Sequence, residues 1–405
     1  MQEIEHLKEA KRTTLTLAAA QSLIGSTQPI CISIGGLAGF YLLGTDKALA
    51  TLPVTGFNLG VAIGALPAAM LMRAIGRRYG FSVGALIVSL GAALAALALL
   101  IHNFWFFAFG LAVIGIGGSF QQQYRFAAAD ASPKSFKSQS ISWVLCGGIV
   151  AAIIGPQLVI LTKDLMAPVS YAGAFLSAVV LGVVGAGVLM TLKPQPATVD
   201  DPEDPTDDER PLSSIISQPR FLVSFLCAVV TYALMAFVMT GAPLAMVACG
   251  HSADDATLGI SWHVLAMFGP SFFTGKLIAR FGKETIVAAG LLLLIGSGIV
   301  ALSGLALWQF WIALILLGVG WNFGFIGATA MTTDTYRPSE KNKVQGIHDF
   351  ALFTFVAIGS LASGATLNAF GWDMINWIVF PAAGFCLVVL AIQAAADRRA
   401  IAAAE

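Results

Sequence analysis

The sequence predicts an all-α integral membrane protein with twelve transmembrane helices arranged as two pseudo-repeated six-helix bundles. Three observations point there. Hydrophobic residues make up 57% of the 405 and charged residues only 11%, against about a quarter in ordinary soluble domains. The charges gather in short islands, and the stretches between them suit a bilayer core, which takes roughly 20 apolar residues per helix. The second half of the chain also repeats features of the first at a fixed offset. Backbone groups in lipid must be satisfied within a helix or a closed barrel, and the alternating pattern of barrel strands is absent.

The charged stretch MQEIEHLKEAKR precedes the first apolar run, 14–42. That run is too long for the apolar part of a secretion signal and is expected to remain as a helix. Runs at 48–71 and 81–101 flank the basic turn LMRAIGRRYG, and 104–127 ends in SFQQQYRFAAAD. Runs 139–161 and 168–191 complete the first six. The stretch LKPQPATVDDPEDPTDDERPLSS follows, rich in Pro and Asp with no apolar period, and is expected to be a cytoplasmic linker over 193–218. It separates an N-terminal bundle, 1–192, from a C-terminal bundle, 219–405. Runs 219–247, 256–279, 286–306, 309–331, 345–368 and 374–396 make the second six, with the turn LIARFGKE between the second and third of them. Gly and Pro inside several runs are tolerated in membrane helices.

With the N-terminus in the cytoplasm, only Lys47 and Lys163 of the 22 Lys and Arg fall in outer loops. Cations concentrate on the cytoplasmic side of membrane proteins, so both termini are expected in the cytoplasm and the helix count is expected to be even. The formal net charge is zero, which gives no signature of nucleic-acid binding. The five cysteines show no metal-like or CxxC spacing and read as small core residues. No metal site or cofactor is expected. Neither is an enzyme, since no phosphate loop, metal cluster or nucleophile–base pair is visible.

The halves match in detail. Gly76 and Gly282 are 206 residues apart, as are Trp105 and Trp311, and each fourth run is followed by a polar basic turn with one proline. The short basic turn recurs because a six-helix unit recurs. At these residues the chain resembles the major facilitator superfamily, whose signature between helices 2 and 3 is roughly G-x-L-a-D-r-x-G-r-r, with a weaker copy between helices 8 and 9. GKLIARFGKE fits through Gly275, Leu277, Arg280, Gly282 and Lys283; AMLMRAIGRRYG keeps Gly76, Arg77 and Arg78. The acidic position holds Arg73 in one copy and Ala279 in the other, which weakens any charge relay confined to the turn. The glycines permit sharp turns, and the cations can cap helix C-termini. The resemblance implies alternating access around a midplane cavity lined by helices 1, 2, 4, 5, 7, 8, 10 and 11.

The middle of the predicted membrane holds amides, hydroxyls and aromatics but little charge. Candidate substrate-binding residues are Gln28, Asn58, Gln121, Gln122, Arg125, Trp143, Tyr232, Trp321 and Asn322. An unpaired amide in hydrocarbon is costly, so each faces a cavity or bonds to a neighbouring helix. Arg125 is expected near the cytoplasmic end of helix 4, as an anchor or as a contact in the inner cavity. Asp130 and Asp334 read as helix-end residues. His348, Asp349 and His263 are the candidates for handling protons, with His263 also able simply to bond a neighbouring helix.

Helix 5 reads CGGIVAAIIGPQLVIL. It keeps Gly155–Pro156 of the pattern that the superfamily's drug–proton antiporters carry, but has Ala151, Val159 and Ile160 where that pattern has glycine. This favours uptake over drug export. In the general character of QQQYRFAAAD and WHVLAMFGPSFFTG the chain is similar to bacterial riboflavin importers of the major-facilitator type. The expected function is therefore transport of a small neutral polar or aromatic solute across the inner membrane by a monomer, with riboflavin as the best substrate and protons as a possible coupling partner. The alternatives are a proton-coupled multidrug or metabolite exporter, and a non-transporting receptor or assembly factor docked through the acidic linker.

Overall fold

The computed structural model describes residues 2–44, 48–133, 136–193, 210–337 and 340–404. Lys47 and linker residues 194–209 lie outside the described residues. Among the described residues there is no strand.

The first predicted run is two helices, α1 (Gln2–Gly25) and α2 (Thr27–Leu43). Pro29 has no N–H and crowds the preceding turn. The hydroxyls of Ser26 and Thr27 donate to the carbonyls of Ser22 and Ile24, at 2.6 and 2.7 Å, supplying bonds at the break. Next come α3 (Leu52–Ile75) and α4 (Arg77–Leu100), joined at Gly76. The fourth run is also split, into α5 (Phe104–Gln121) and α6 (Tyr124–Asp130). Asn103 caps α5 by accepting from the Phe106 N–H at 2.9 Å. Then follow α7 (Lys137–Thr162) and α8 (Ala172–Leu189), the short α9 (Leu212–Ile216), and α10 (Pro219–Ala248).

The eighth run divides at Gly269–Pro270 into α11 (Ala253–Phe268) and α12 (Ser271–Phe281). Ser252 and Asp255 form a reciprocal capping box at the start of α11. After α13 (Lys283–Leu302) and α14 (Leu307–Thr332), α15 (Lys341–Ala404) covers the last two predicted runs. It is bent where Gly371 leaves helical geometry at φ 80°, ψ −176°, a conformation open to glycine. Among the described residues ten helices are long and apolar enough to span a membrane. The difference from the twelve expected has a local cause: the Pro270 break leaves α11 and α12 each short, and α15 joins two runs.

Side-chain contacts establish that the chain alternates direction. Tyr41 meets His102 and Tyr171 at ring separations of 5.0 and 6.5 Å, so the ends of α2 and α4 and the start of α8 share one face. At the opposite face Arg77, opening α4, pairs with Asp130 closing α6, and Lys193 after α8 pairs with Glu9 of α1. These are called the Lys163 face and the Arg77 face below.

Among the described residues two large hydrophobic cores form, beside two small clusters, one of which sets Leu37 and Ala50 against Leu244. One large core runs from Leu17 to Leu192; the other takes in Val223 to Leu390 with only Ile32, Val54 and Ala152 from the first group. Close helix approach builds them. A Cβ on Gly115 of α5 would fall 2.0 Å from the Phe57 carbonyl oxygen of α3, so no larger residue fits there. Large apolar side chains such as Leu66, Leu161 and Ile392 stand outward, 65–71% exposed. In water these would be unpaired apolar surface; in a bilayer they face their solvent.

The end of the linker is anchored to the second group. The Arg210 guanidinium forks onto Glu340, with Nε to Oε1 at 2.9 Å and Nη2 to Oε2 at 2.7 Å, and also donates to the Thr335 carbonyl. Backbone N–H groups of Arg210 and Arg337 add two more bonds to the carboxylate. These bonds, Arg210's first, hold the Glu340 carboxyl down at about 2. A carboxyl lowered in the folded protein contributes stability above its ordinary range, and that contribution drains as pH falls toward the folded value. Glu340→Gln is expected to lower Tm in detergent by a few degrees at neutral pH. The gap to the unaltered protein should shrink as pH falls from about 4.5 toward 2; a gap that is constant with pH would refute this.

Candidate functional site

The two groups touch mainly on the Lys163 side. Thr55 of α3 donates to Ser360 of α15 at 3.4 Å, and Thr240 of α10 shares that hydroxyl at 3.2 Å. The Ser261 hydroxyl of α11 donates to the Ala152 carbonyl of α7 at 2.6 Å. Lys163 pairs with Asp254 across the same seam. A Cβ on Gly364 would strike the Thr51 hydroxyl at 2.3 Å. On the Arg77 face the pairs Arg77–Asp130, Lys193–Glu9, Arg210–Glu340, Arg220–Glu284, Arg220–Asp334 and Lys283–Asp334 each join residues of one group. Hydrogen bonds and an ion pair therefore join the two groups at the Lys163 face.

The duplicated turn is visible in the backbone: Gly76 has φ 81°, ψ 159° and Gly282 has φ 88°, ψ 155°. The residue after each glycine pairs with an acid at the end of the fourth helix of its group. Arg77 Nη2 lies 2.6 Å from Asp130 Oδ2, and Lys283 Nζ lies 2.5 Å from Asp334 Oδ1. Arg220 adds contacts to Asp334 at 2.9 Å and Glu284 at 3.0 Å. Burial would raise the Asp334 carboxyl, but hydrogen bonds from Lys283 and Arg220 hold it below the usual range. The acids that the turn itself lacks thus come from Asp130 and Asp334, which spacing along the chain had marked only as helix ends. Arg78 and Arg280 each lie over the ring that follows them, at 5.5 and 5.2 Å. Gly275 is surrounded by open space.

Between the faces, the second group presents an aromatic wall. Trp321 stacks on Phe325 at 5.2 Å. Tyr232 sets its edge against Trp321, Phe325 and Phe353 at 5.2, 5.0 and 5.7 Å, and Phe268 approaches Trp321 at 6.4 Å. The Trp321 Nε1 is buried without a hydrogen-bond partner. The first group presents amides. Gln21 and Gln121 are half-buried, with no hydrogen bond to another described residue. Gln21 reaches the seam: a Cβ on Gly148 would lie 3.8 Å from its Nε2 and 3.7 Å from the Phe268 ring. Sequence reasoning passed over Gln21; its signal was a lone amide two helical turns before Gln28.

Arg125 of α6 is exposed, and Asp349 and Tyr232 of the other group lie within electrostatic reach of it. Its guanidinium lies 4.8 Å over Phe126. Asp349 is 61% exposed and accepts from or is paired with His348 Nδ1 at 3.0 Å. His348 itself is buried against Phe225, and its Nε2 has no partner. The structure thus relates Arg125 electrostatically to Asp349 and Tyr232 of the other group, sets Tyr232 against Trp321, and places Gln121 beside Gln21 at Gly25.

Other predicted residues stand elsewhere. Asn322 is fully buried: its amide donates to the Met267 carbonyl and Ser271 hydroxyl, at 2.6 and 2.7 Å, and accepts from Thr274 at 2.6 Å. It ties down the backbone opened by Pro270, and being fully buried with both ends of its amide bonded to neighbouring helix groups it takes the helix-to-helix role in place of the expected binding one. His263 is fully buried with Nδ1 on the Leu314 carbonyl at 2.8 Å, the helix-to-helix alternative. Trp143 packs on Phe136 of its own segment at 5.3 Å. Gln28 and Asn58 are half-buried and Gln122 is exposed. Among the described residues no cluster could hold a metal ion.

A helical membrane protein whose two groups close on one face around a partly polar space has the build of a solute transporter. The chain belongs to the Major Facilitator Superfamily, whose family model matches residues 13–322 and 225–404. It is 51% identical over 384 residues to the riboflavin transporter RfnT of Brucella anthropi, covering 95% of this chain and 96% of that one. It is 30% identical over 368 residues to the uncharacterized MFS-type transporter YddS of Bacillus subtilis, covering 87% and 84%. The solved structure of the POT family transporter PepTSo shares its fold, with a TM-score of 0.71 at 13% identity over 97% of this chain and 98% of that one.

Proposed function

We propose that this chain imports riboflavin across the inner membrane by alternating access. The observation that carries the reading is the end-to-end similarity to RfnT. The site is chemically suited to the task. A flavin is a flat ring with a polar edge and a hydroxylated tail, which matches an aromatic wall facing amides.

In this reading α11 with α12 forms one crossing and the two arms of α15 form two, making twelve in bundles 1–192 and 219–405, tethered by 193–218. Both termini lie in the cytoplasm, as the placement of cations requires, so the state described is open inward. Return to the outward state breaks Lys163–Asp254, Thr55–Ser360 and Ser261–Ala152, while the Arg77 faces of the two bundles approach. Asp349 and His348 are the groups positioned to carry a proton. The protein works as a monomer.

Cells unable to make riboflavin, expressing this chain, are expected to accumulate labelled riboflavin well above the vector control. Accumulation equal to the control would overturn the proposal.

A further inference from the structure

We infer that Gln21 and Gln121 together read the imide edge of the flavin ring, and so set the substrate preference of the transporter. The inference rests on the riboflavin reading above and adds to it the atoms that discriminate.

The two amides come from different helices, α1 and α5, and converge on one glycine. A Cβ on Gly25 would lie 2.9 Å from Gln121 Nε2 and 3.4 Å from Gln21 Nε2. Gly25 closes α1 immediately before the break at Ser26, and its lack of a side chain lets both amides into one place. Gly147 opens the other side: a Cβ there would press on the Gln21 side chain at 2.9 Å. Gly148 then carries the Gln21 amide to the seam, where it shares one contact point with the Phe268 ring. From Phe268 the aromatic wall continues through Trp321 to Tyr232 and Phe325. Amides and rings thus form one surface spanning both bundles.

Neither amide is satisfied by another described residue. An amide inside a membrane protein without a protein partner needs water or a solute. Each glutamine offers a donor and an acceptor side by side. The imide edge of a flavin carries acceptor, donor and acceptor in a row: two carbonyls flanking the N3–H. One amide can accept from N3–H and donate to a flanking carbonyl, and the second can donate to the other carbonyl. The benzenoid end of the ring then lies toward the aromatic wall. Flat aromatics without this edge would leave both amides unpaired, and a site built for hydrogen bonding rejects ligands that cannot supply them.

The test compares uptake of labelled riboflavin into membrane vesicles with competition by unlabelled riboflavin and by 3-methylriboflavin. The methyl removes the N3–H donor but leaves ring and tail. The unaltered protein is expected to prefer riboflavin by at least about tenfold, a loss on the scale of one well-made hydrogen bond. Gln21→Leu and Gln121→Leu should each raise KM for riboflavin by about tenfold and bring the preference close to one, with protein levels matched by immunoblot. Gln21→Asn, a polar but shorter side chain, should retain part of the preference. The discrimination by the unaltered protein needs no variant and so stands even where a variant folds poorly. Equal competition by the two compounds in the unaltered protein, or an unchanged preference in both leucine variants, would overturn the inference while leaving riboflavin transport intact. No riboflavin uptake at all would overturn the transport reading, and this inference with it.

Discussion

Arg125→Ala is expected to lower the rate of uptake by at least about tenfold at equal protein level in the membrane. The side chain is exposed within a helix that belongs to a candidate span, a placement kept only where charge faces water, a partner or a solute. Its neighbours across the space are Asp349 and Tyr232 of the other bundle. When the Arg77 face closes, this space loses water and the charge must be matched. Asp349 is the carboxylate placed to match it. Without Arg125, Asp349 meets a drying site uncompensated, so the substitution penalises closure and any solute contact together. Arg125→Lys keeps the charge without the planar fork and should restore a substantial part of the rate. Initial rates in vesicles decide the point, and an alanine variant within about twofold of the unaltered protein would remove Arg125 from the mechanism.

Locking the Lys163 face should stop transport almost completely. Thr55 and Ser360 come within 3.4 Å through their hydroxyls, one from each bundle. Cysteines at both positions would set two thiols facing each other across the seam, the pairing that oxidation can turn into a disulfide. The double variant is best built with Cys146 and Cys249, the exposed native thiols, replaced. Oxidation should hold the Lys163 face closed and abolish uptake; reduction should restore it. Each single variant should transport under both conditions. Continued uptake by protein that mass spectrometry shows to be cross-linked would mean that this seam does not open during the cycle.

The boundaries of most helices were legible because a bilayer imposes one rule on every segment: long apolar stretches, with charges at the ends. The repeat was legible for a related reason. Gly76 and Gly282 occupy the same rare conformation, so glycine had to be kept at both. Pro29 and Pro270 stand at two breaks within helices, where the apolar pattern predicts continuous runs that merely tolerate proline. The break at Gln122–Gln123 carries no such residue, and the run through Gln121 and Arg125 reads as one continuous helix.

The site was legible only as a set of residue types. Tyr232, Trp321, Gln121 and Arg125 were recognisable as costly groups in a membrane; Tyr232 and Trp321 do touch, and Arg125 feels Tyr232 electrostatically across the groups. Asn322 and His263 looked equivalent to them, yet the Met267 carbonyl takes the Asn322 amide and the Leu314 carbonyl takes His263 Nδ1. Gln21 was passed over because its significance depends on Gly148 and Phe268, which are remote in the chain and meet it only across the seam.

The sequence alone determined that this protein lives in a bilayer, that it is built from a repeated unit, and which of its faces carries the positive charge. Those properties follow from transfer energies and backbone freedom, which each segment carries by itself. Which acid answers Arg77 and Lys283, which amides remain free, and which face is closed were decided by the tertiary structure. A polar group's role depends on whether a partner from another helix reaches it, and that proximity exists only once the helices have packed.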